Sequence, residues 1–169
     1  MKMIKLFFLF VSISSFAQSK VGTIDIDFII TKMPEITNVQ KQLDEYKAEL
    51  DVDFKKNMDA YNALIKDYTE NEVTFTIAVK KQKQDEIITA ENDLGKYQEN
   101  GTKLLSIRRD ELLRPLYQKI GTALGKVAKE NAYTQVLQID EFLVYIDNDF
   151  DLTILVMKEL GIDIESSEE

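Results

Sequence analysis

From Thr37 to Asn131 the chain carries the apolar spacing of two long helices with one short interruption between them. Val39, Leu43, Tyr46, Leu50, Phe54, Met58, Tyr61, Ile65 and Tyr68 follow one another by threes and fours, a period of ~3.6 residues that places them on one helical face. Ile87, Ala90, Leu94, Tyr97, Gly101, Leu105, Arg108, Leu112, Leu116, Ile120, Ala123 and Val127 continue at the same period on the return. A period of ~3.6 rather than ~3.5 predicts a nearly straight pair and not a tight left-handed supercoil. A helical hairpin this long cannot enclose a globular core, so most of the chain is expected to be an arm.

The interruption, Glu72 to Val79, alternates Val73, Phe75, Ile77 and Val79 with polar or small residues. Local periodicity alone reads as a strand. A lone strand between two helices has no partner for its backbone, so the preferred reading is the hairpin reversal, with its tip near residues 70–79. A turn near Val73 sets Val39 opposite Ile107 and carries the chain after Arg108 past the arm into a body. Pro115 predicts a kink or the passage into that body.

The flanks have a different pattern. Lys20 to Asp27 reads as a strand, with Val21, Thr23 and Asp25 on one side and Gly22, Ile24 and Ile26 on the other. Phe28 to Met33 forms one or two helical turns, closed by Pro34. Tyr133–Ile139 and Phe142–Ile146 read as two further strands, able to form a hairpin and pair with the first. Asp151 caps a last helix, Leu152 to Leu160, which Gly161 stops. The acidic tail 163–169 is expected to be disordered. The predicted fold is therefore mainly α with a small β-body (α+β): body segments 18–36 and 108–162, and a long antiparallel helical arm over 37–107.

The chain has no Cys and no His, which removes thiolate and imidazole chemistry and most zinc sites; no enzyme activity and no cofactor are expected. Lys2 and Lys5, the apolar run Leu6 to Val11 and Ser15-Phe16-Ala17 read as a cleavable secretory signal over residues 1–17, because a membrane span needs about 20 apolar residues and this run is shorter. The formal net charge is −9, and loss of the two signal lysines makes it more negative. That argues against nucleic acid as a partner and against an anionic lipid surface as the principal one.

The C-terminal residues Leu113-Arg-Pro-Leu-Tyr-Gln-Lys-Ile120, Val127-Ala-Lys-Glu-Asn-Ala-Tyr133, Val136-Leu137, Tyr145 and Asp151-Leu-Thr153 resemble the Skp (OmpH-like) family of periplasmic chaperones. Val21-Gly-Thr-Ile-Asp-Ile-Asp27 resembles that family's opening strand, and the order of elements matches along the whole mature chain. The resemblance implies a periplasmic, jellyfish-shaped homotrimer, with a β-body for association and three arms around a cavity. It implies an ATP-independent holdase for unfolded outer-membrane β-barrel proteins. In that trimer Val21, Ile24, Ile26, Val136, Leu137 and Val144 are the candidate association residues. Familiar members are basic, so the acidic charge here bears against a carried-over lipopolysaccharide or membrane contact and against charge-steered capture. An exported trimeric helical scaffold or spacer, binding one folded partner in the cell envelope, is the competing reading.

Individual residues divide between functional and structural explanations. Gly121 and Gly125 each cost up to ~1 kcal/mol in a helix, which close backbone approach in a trimer would offset. Lys80, Lys81 and Lys83 form the densest basic cluster, read either as a client contact or as a solvated face. Tyr61, Tyr68 and Tyr97 can pack in the hairpin and still present an edge. Val73, Phe75 and Ile77 are the first candidates for exposed apolar client contacts, because a two-helix tip has little core to hide them. Asp147-Asn-Asp-Phe-Asp151 resembles the start of a calcium loop but lacks its Gly and Glu, and is read as a turn before the last helix. Asp25 and Asp27 as paired catalytic carboxylates find no pocket to serve.

Overall fold

Asp25 ends the first strand. Its carboxylate accepts the backbone N–H of Phe28 at 2.8 Å and so starts a helix where strand alternation predicts two more extended residues. The computed structural model describes residues 19–140 and 143–162. Their order is strand β1 (Val21–Ile24), helix α1 (Ile26–Lys32), helix α2 (Ile36–Asn71), a 3₁₀ turn (Glu72–Thr74), helix α3 (Ile77–Glu130), strand β2 (Gln135–Gln138), a second 3₁₀ turn (Asn148–Phe150) and helix α4 (Thr153–Glu159). The signal and acidic-tail expectations lie outside the described residues, as does Phe142 at the start of the expected third strand.

The chain divides into two compact units: Pro34–Arg114, and the residues up to Met33 together with those from Pro115 on. The first is a helical hairpin formed by α2 and the early part of α3. Cross-helix contacts pair Asp67 with Lys83, Tyr68 with Gln84, Glu72 with Lys80, Gln42 with Arg108 and Phe54 with Tyr97. All of them centre the reversal on Phe75–Thr76, two or three residues beyond the expected Val73. That shift sets Val39 level with Leu112 and Leu113 and leaves Ile107 55% exposed. Only Val39, Leu94 and Leu113 are buried in this unit, because each helix has a single neighbour to pack on. The other stripe residues stay half-buried.

The second unit carries the denser core: Ile24, Ile29, Met33, Leu116, Ile120, Val127, Leu152, Val156 and Met157 are all buried. Pro115 lies inside α3 without ending it, and the helix remains unbroken to Glu130. The two strands pair in parallel, Val21 with Gln135 through Ile24 with Gln138, and the chain between them includes the whole hairpin. The expected third strand is absent among the described residues, where 143–147 are irregular. β1 has no edge to offer it: β2 holds one side, while Asp151 bridges Thr23 and the Leu152 N–H donates to the Thr23 carbonyl at 2.8 Å on the other.

Thr153 locks this arrangement. Its hydroxyl accepts the Asp25 N–H at 2.8 Å and donates to Asp151 Oδ1 at 2.5 Å, and the same carboxylate oxygen takes the Thr153 N–H at 2.9 Å. The N-cap of the last helix is Leu152 and not the expected Asp151, whose carboxylate takes the Thr153 amide from one residue further out; Gly161, at φ 72°, closes the helix with the paired bonds of a Schellman motif. α3 ends in the same motif, with Tyr133 N–H to the Ala128 carbonyl at 2.9 Å and Ala132 N–H to the Lys129 carbonyl at 3.2 Å. Here the left-handed residue is Ala132, at φ 57°, where a Cβ is costly. Ala132→Gly is expected to stabilise the protein by about 0.5–1 kcal/mol, read as a higher midpoint in urea unfolding.

Candidate functional site

The reversal of the hairpin is built by two threonines. Thr74 donates to the Asn71 carbonyl at 2.7 Å as α2 ends, and the Thr76 carbonyl accepts the Lys80 N–H at 2.9 Å as α3 begins. The apolar side chains beside and between them differ in exposure. Val73 is 92% and Ile77 89% exposed, while Phe75 turns back onto Tyr68 with ring centroids 6.3 Å apart. Of the three expected exposed contacts, two stand in solvent, and Phe75 instead serves as the staple of the tip, because Tyr68 offers it an apolar face.

The basic cluster is divided in the same way. Lys83 reaches Asp67 at 2.7 Å and Lys80 reaches Glu72 at 3.4 Å, so both cross the hairpin. Lys81 is exposed and makes no ion pair among the described residues. Tyr68 accepts a hydrogen bond from Gln84 at 2.7 Å, which uses its hydroxyl within the hairpin. The Lys83 hydrogen bond holds the Asp67 carboxyl below its usual value, and the Asp67 partner raises Lys83. A lowered acid contributes stability above its unfolded pKa and loses it as pH falls through the folded one. Asp67 is therefore expected to titrate below ordinary aspartates in an NMR pH series, and Lys83→Met to move that titration upward.

Further along the hairpin, Tyr97 packs on Phe54 with centroids 6.3 Å apart. Partial burial, followed by the nearby Asp53 charge, pushes its phenol up. Tyr61 is half-buried beside it. Both tyrosine rings are half-buried within the hairpin.

In the unit that contains the sheet, Ile24 is 2% exposed and belongs to its own core, and Ile26 lies in the first turn of α1. Ile24 is in the strand but offers no surface because it is buried, and Ile26 presents no strand face because Asp25 ends the strand. Val21 and Leu137 are partly exposed, Val136 is half-buried, and Val144 is 98% exposed on the irregular segment. Gly121 and Gly125 lie on the open side of α3, where an added Cβ would meet nothing within 4 Å. Exposed apolar groups that the sequence reading left out join these: Tyr145 at 80%, with Tyr117, Phe150, Ile154 and Leu155 each partly exposed. For Tyr145 the signal was its strand-like run; for Ile154 and Leu155 it was the outer positions of a short helix.

Asp147 and Asp151 use their carboxylates on the amides of Asp149 and Thr153, as turn and cap residues do. Among the described residues no group of three acidic side chains could hold a metal ion, and no helix is long and apolar enough to cross a membrane.

The family model of the outer membrane protein (OmpH-like) family matches residues 20–160. Among solved structures, the chain is similar to an OmpH-like protein of Caulobacter crescentus CB15 that is described provisionally as an outer membrane chaperone. The TM-score is 0.63 at 14% identity, over 88% of this chain and 86% of that one. No curated protein matches the chain.

Proposed function

Because this chain belongs to the OmpH-like family of outer membrane proteins, we propose that it is a periplasmic chaperone, an ATP-independent holdase for unfolded outer-membrane β-barrel proteins. The observation that carries this reading is the tip. Val73 and Ile77, the most exposed apolar residues of the hairpin, flank a reversal that Phe75, Lys80 and Lys83 hold in shape. An unfolded barrel exposes alternating apolar strands that aggregate edge to edge, and apolar contacts held out on long helices shield them from one another. The description of the Caulobacter protein as an outer membrane chaperone supports the same reading.

The working form is a homotrimer whose hairpins surround one client. Weak contacts on three hairpins act together, so no single strong site is needed. Association uses the exposed apolar groups of the sheet-containing unit, chiefly Leu137, Val144 and Tyr145, with Gly121 and Gly125 permitting close approach. Export by the cleaved signal delivers the chain to the periplasm.

Native mass spectrometry of the mature protein, alone and after dilution of a urea-unfolded outer-membrane barrel into it, tests the reading. Three protomers alone and three plus one client are expected. A trimer that ignores unfolded barrels and instead holds one folded envelope protein would replace the holdase with a scaffold.

A further inference from the structure

One side of the hairpin carries a shallow, open groove of about 810 Å³ over Leu64, between Ala78 and Asp93. Leu64, Ala90 and Asp93 also line a second depression of about 270 Å³, which ends at Tyr61 and Tyr97. The two form one track. Its floor is apolar and low because small side chains, Ala60, Ala78 and Ala90, stand where longer ones would fill it. Its rim is acidic: Asp85, Glu86 and Asp93 face a single cation, Lys81.

The rim acids are only lightly engaged. Glu86 takes the Gln82 amide at 2.9 Å and Asp93 meets Lys96 at 3.3 Å, both exposed contacts within α3, and exposed pairs of this kind hold weakly. Asp85 makes no ion pair among the described residues. The groove beside Phe54 and Gly101 differs, since its one acid, Asp51, is balanced by Lys47. A net charge of −9 adds a general attraction for cations around the chain.

We propose that this track binds an extended segment of unfolded chain that alternates apolar residues with Lys or Arg. The distance from Ala78 to Tyr97 along α3 is roughly 28 Å at about 1.5 Å per residue, room for an extended segment of about eight or nine residues. Alternate apolar side chains settle on the alanine and Leu64 floor, and the long basic side chains between them bend to Asp85, Glu86 and Asp93. The inference rests on the holding function proposed above and gives it a sequence preference: among the segments of a client, those with basic rather than acidic polar positions are held first.

Fluorescence anisotropy of the full chain with two labelled peptides of about nine residues tests it. The peptides share their apolar positions and differ in carrying Lys or Glu between them. The Lys peptide is expected to bind about tenfold more tightly, with the difference shrinking as salt rises. Asp85→Lys with Asp93→Lys should reverse the preference, and Asp85→Asn with Asp93→Asn should erase it; all four changes are at exposed positions. Equal binding of the two peptides, or an unchanged preference in both variants, overturns the proposal. A charge reversal that alters native mass instead of peptide binding makes the track a contact between copies, which also overturns it. Suppression of barrel aggregation, measured in parallel, separates the two readings. If the wild type suppresses aggregation but shows no peptide preference, the track alone fails; if it does not suppress aggregation, the holding function fails with it.

Discussion

Gly22→Ala is expected to destabilise the sheet-containing unit by about 1–3 kcal/mol, although it adds a single methyl group to a strand. A Cβ at Gly22 would overlap Leu152 Cδ1 and stand 2.7 Å from Tyr133 Cε1. Leu152 is 0% exposed and has nowhere to retreat. Tyr133 is held on its other side by Lys20, whose ammonium stands 3.9 Å from the ring centroid, and its hydroxyl donates to the Asp149 carbonyl at 3.1 Å. Leu152→Ala alone should cost about 3–5 kcal/mol through the cavity it leaves. The double variant should cost clearly less than the two added together, because the new methyl fills part of that cavity. Urea unfolding of the four proteins gives the cycle, and strict additivity would show that the two side chains do not compete for this space.

The second large effect is functional. Val73→Ser with Ile77→Ser should reduce suppression of barrel aggregation several-fold while leaving the unfolding free energy within about 0.5 kcal/mol of the parent, as expected for exposed positions. Phe75→Ser should behave in the opposite sense: it removes the ring packed on Tyr68, so the tip loosens first, visible as faster amide exchange around Glu72–Thr76. Aggregation suppression that survives the Val73 and Ile77 changes would move client contact away from the tip. The pair of variants separates two residues that present an apolar surface from one that shapes it, a distinction the alternating pattern Val73, Phe75, Ile77 does not contain.

The family signature is a packing unit and not a list of separate positions. Gly22, Tyr133 and Leu152 meet at one point, and Thr153 ties Asp151 to the end of β1. Residues more than a hundred positions apart thus require one another. That explains why resemblance at the two ends of the chain was informative while the hairpin, which any amphipathic helix pair could form, was not.

The two long helices, the reversal between them and the small α+β unit were legible in the sequence, because helical periodicity is a local property repeated over many turns. The end of the last helix was legible too, since Gly161 supplies the left-handed residue that its cap requires. Tertiary structure alone decided the rest. The register of the hairpin depended on which cross-helix pairs fit, Asp67 with Lys83 and Phe54 with Tyr97, and moved the reversal by two or three residues. β1 stopped at Ile24 because Asp25 found the Phe28 amide and Thr153 found Asp25, bonds that alternation of apolar residues cannot announce. The strand-like run at 143–146 gained no ladder with β1, both of whose edges were already taken by β2 and by Asp151. A strand exists only where another backbone satisfies it, and that partner is set by the fold and not by the segment itself.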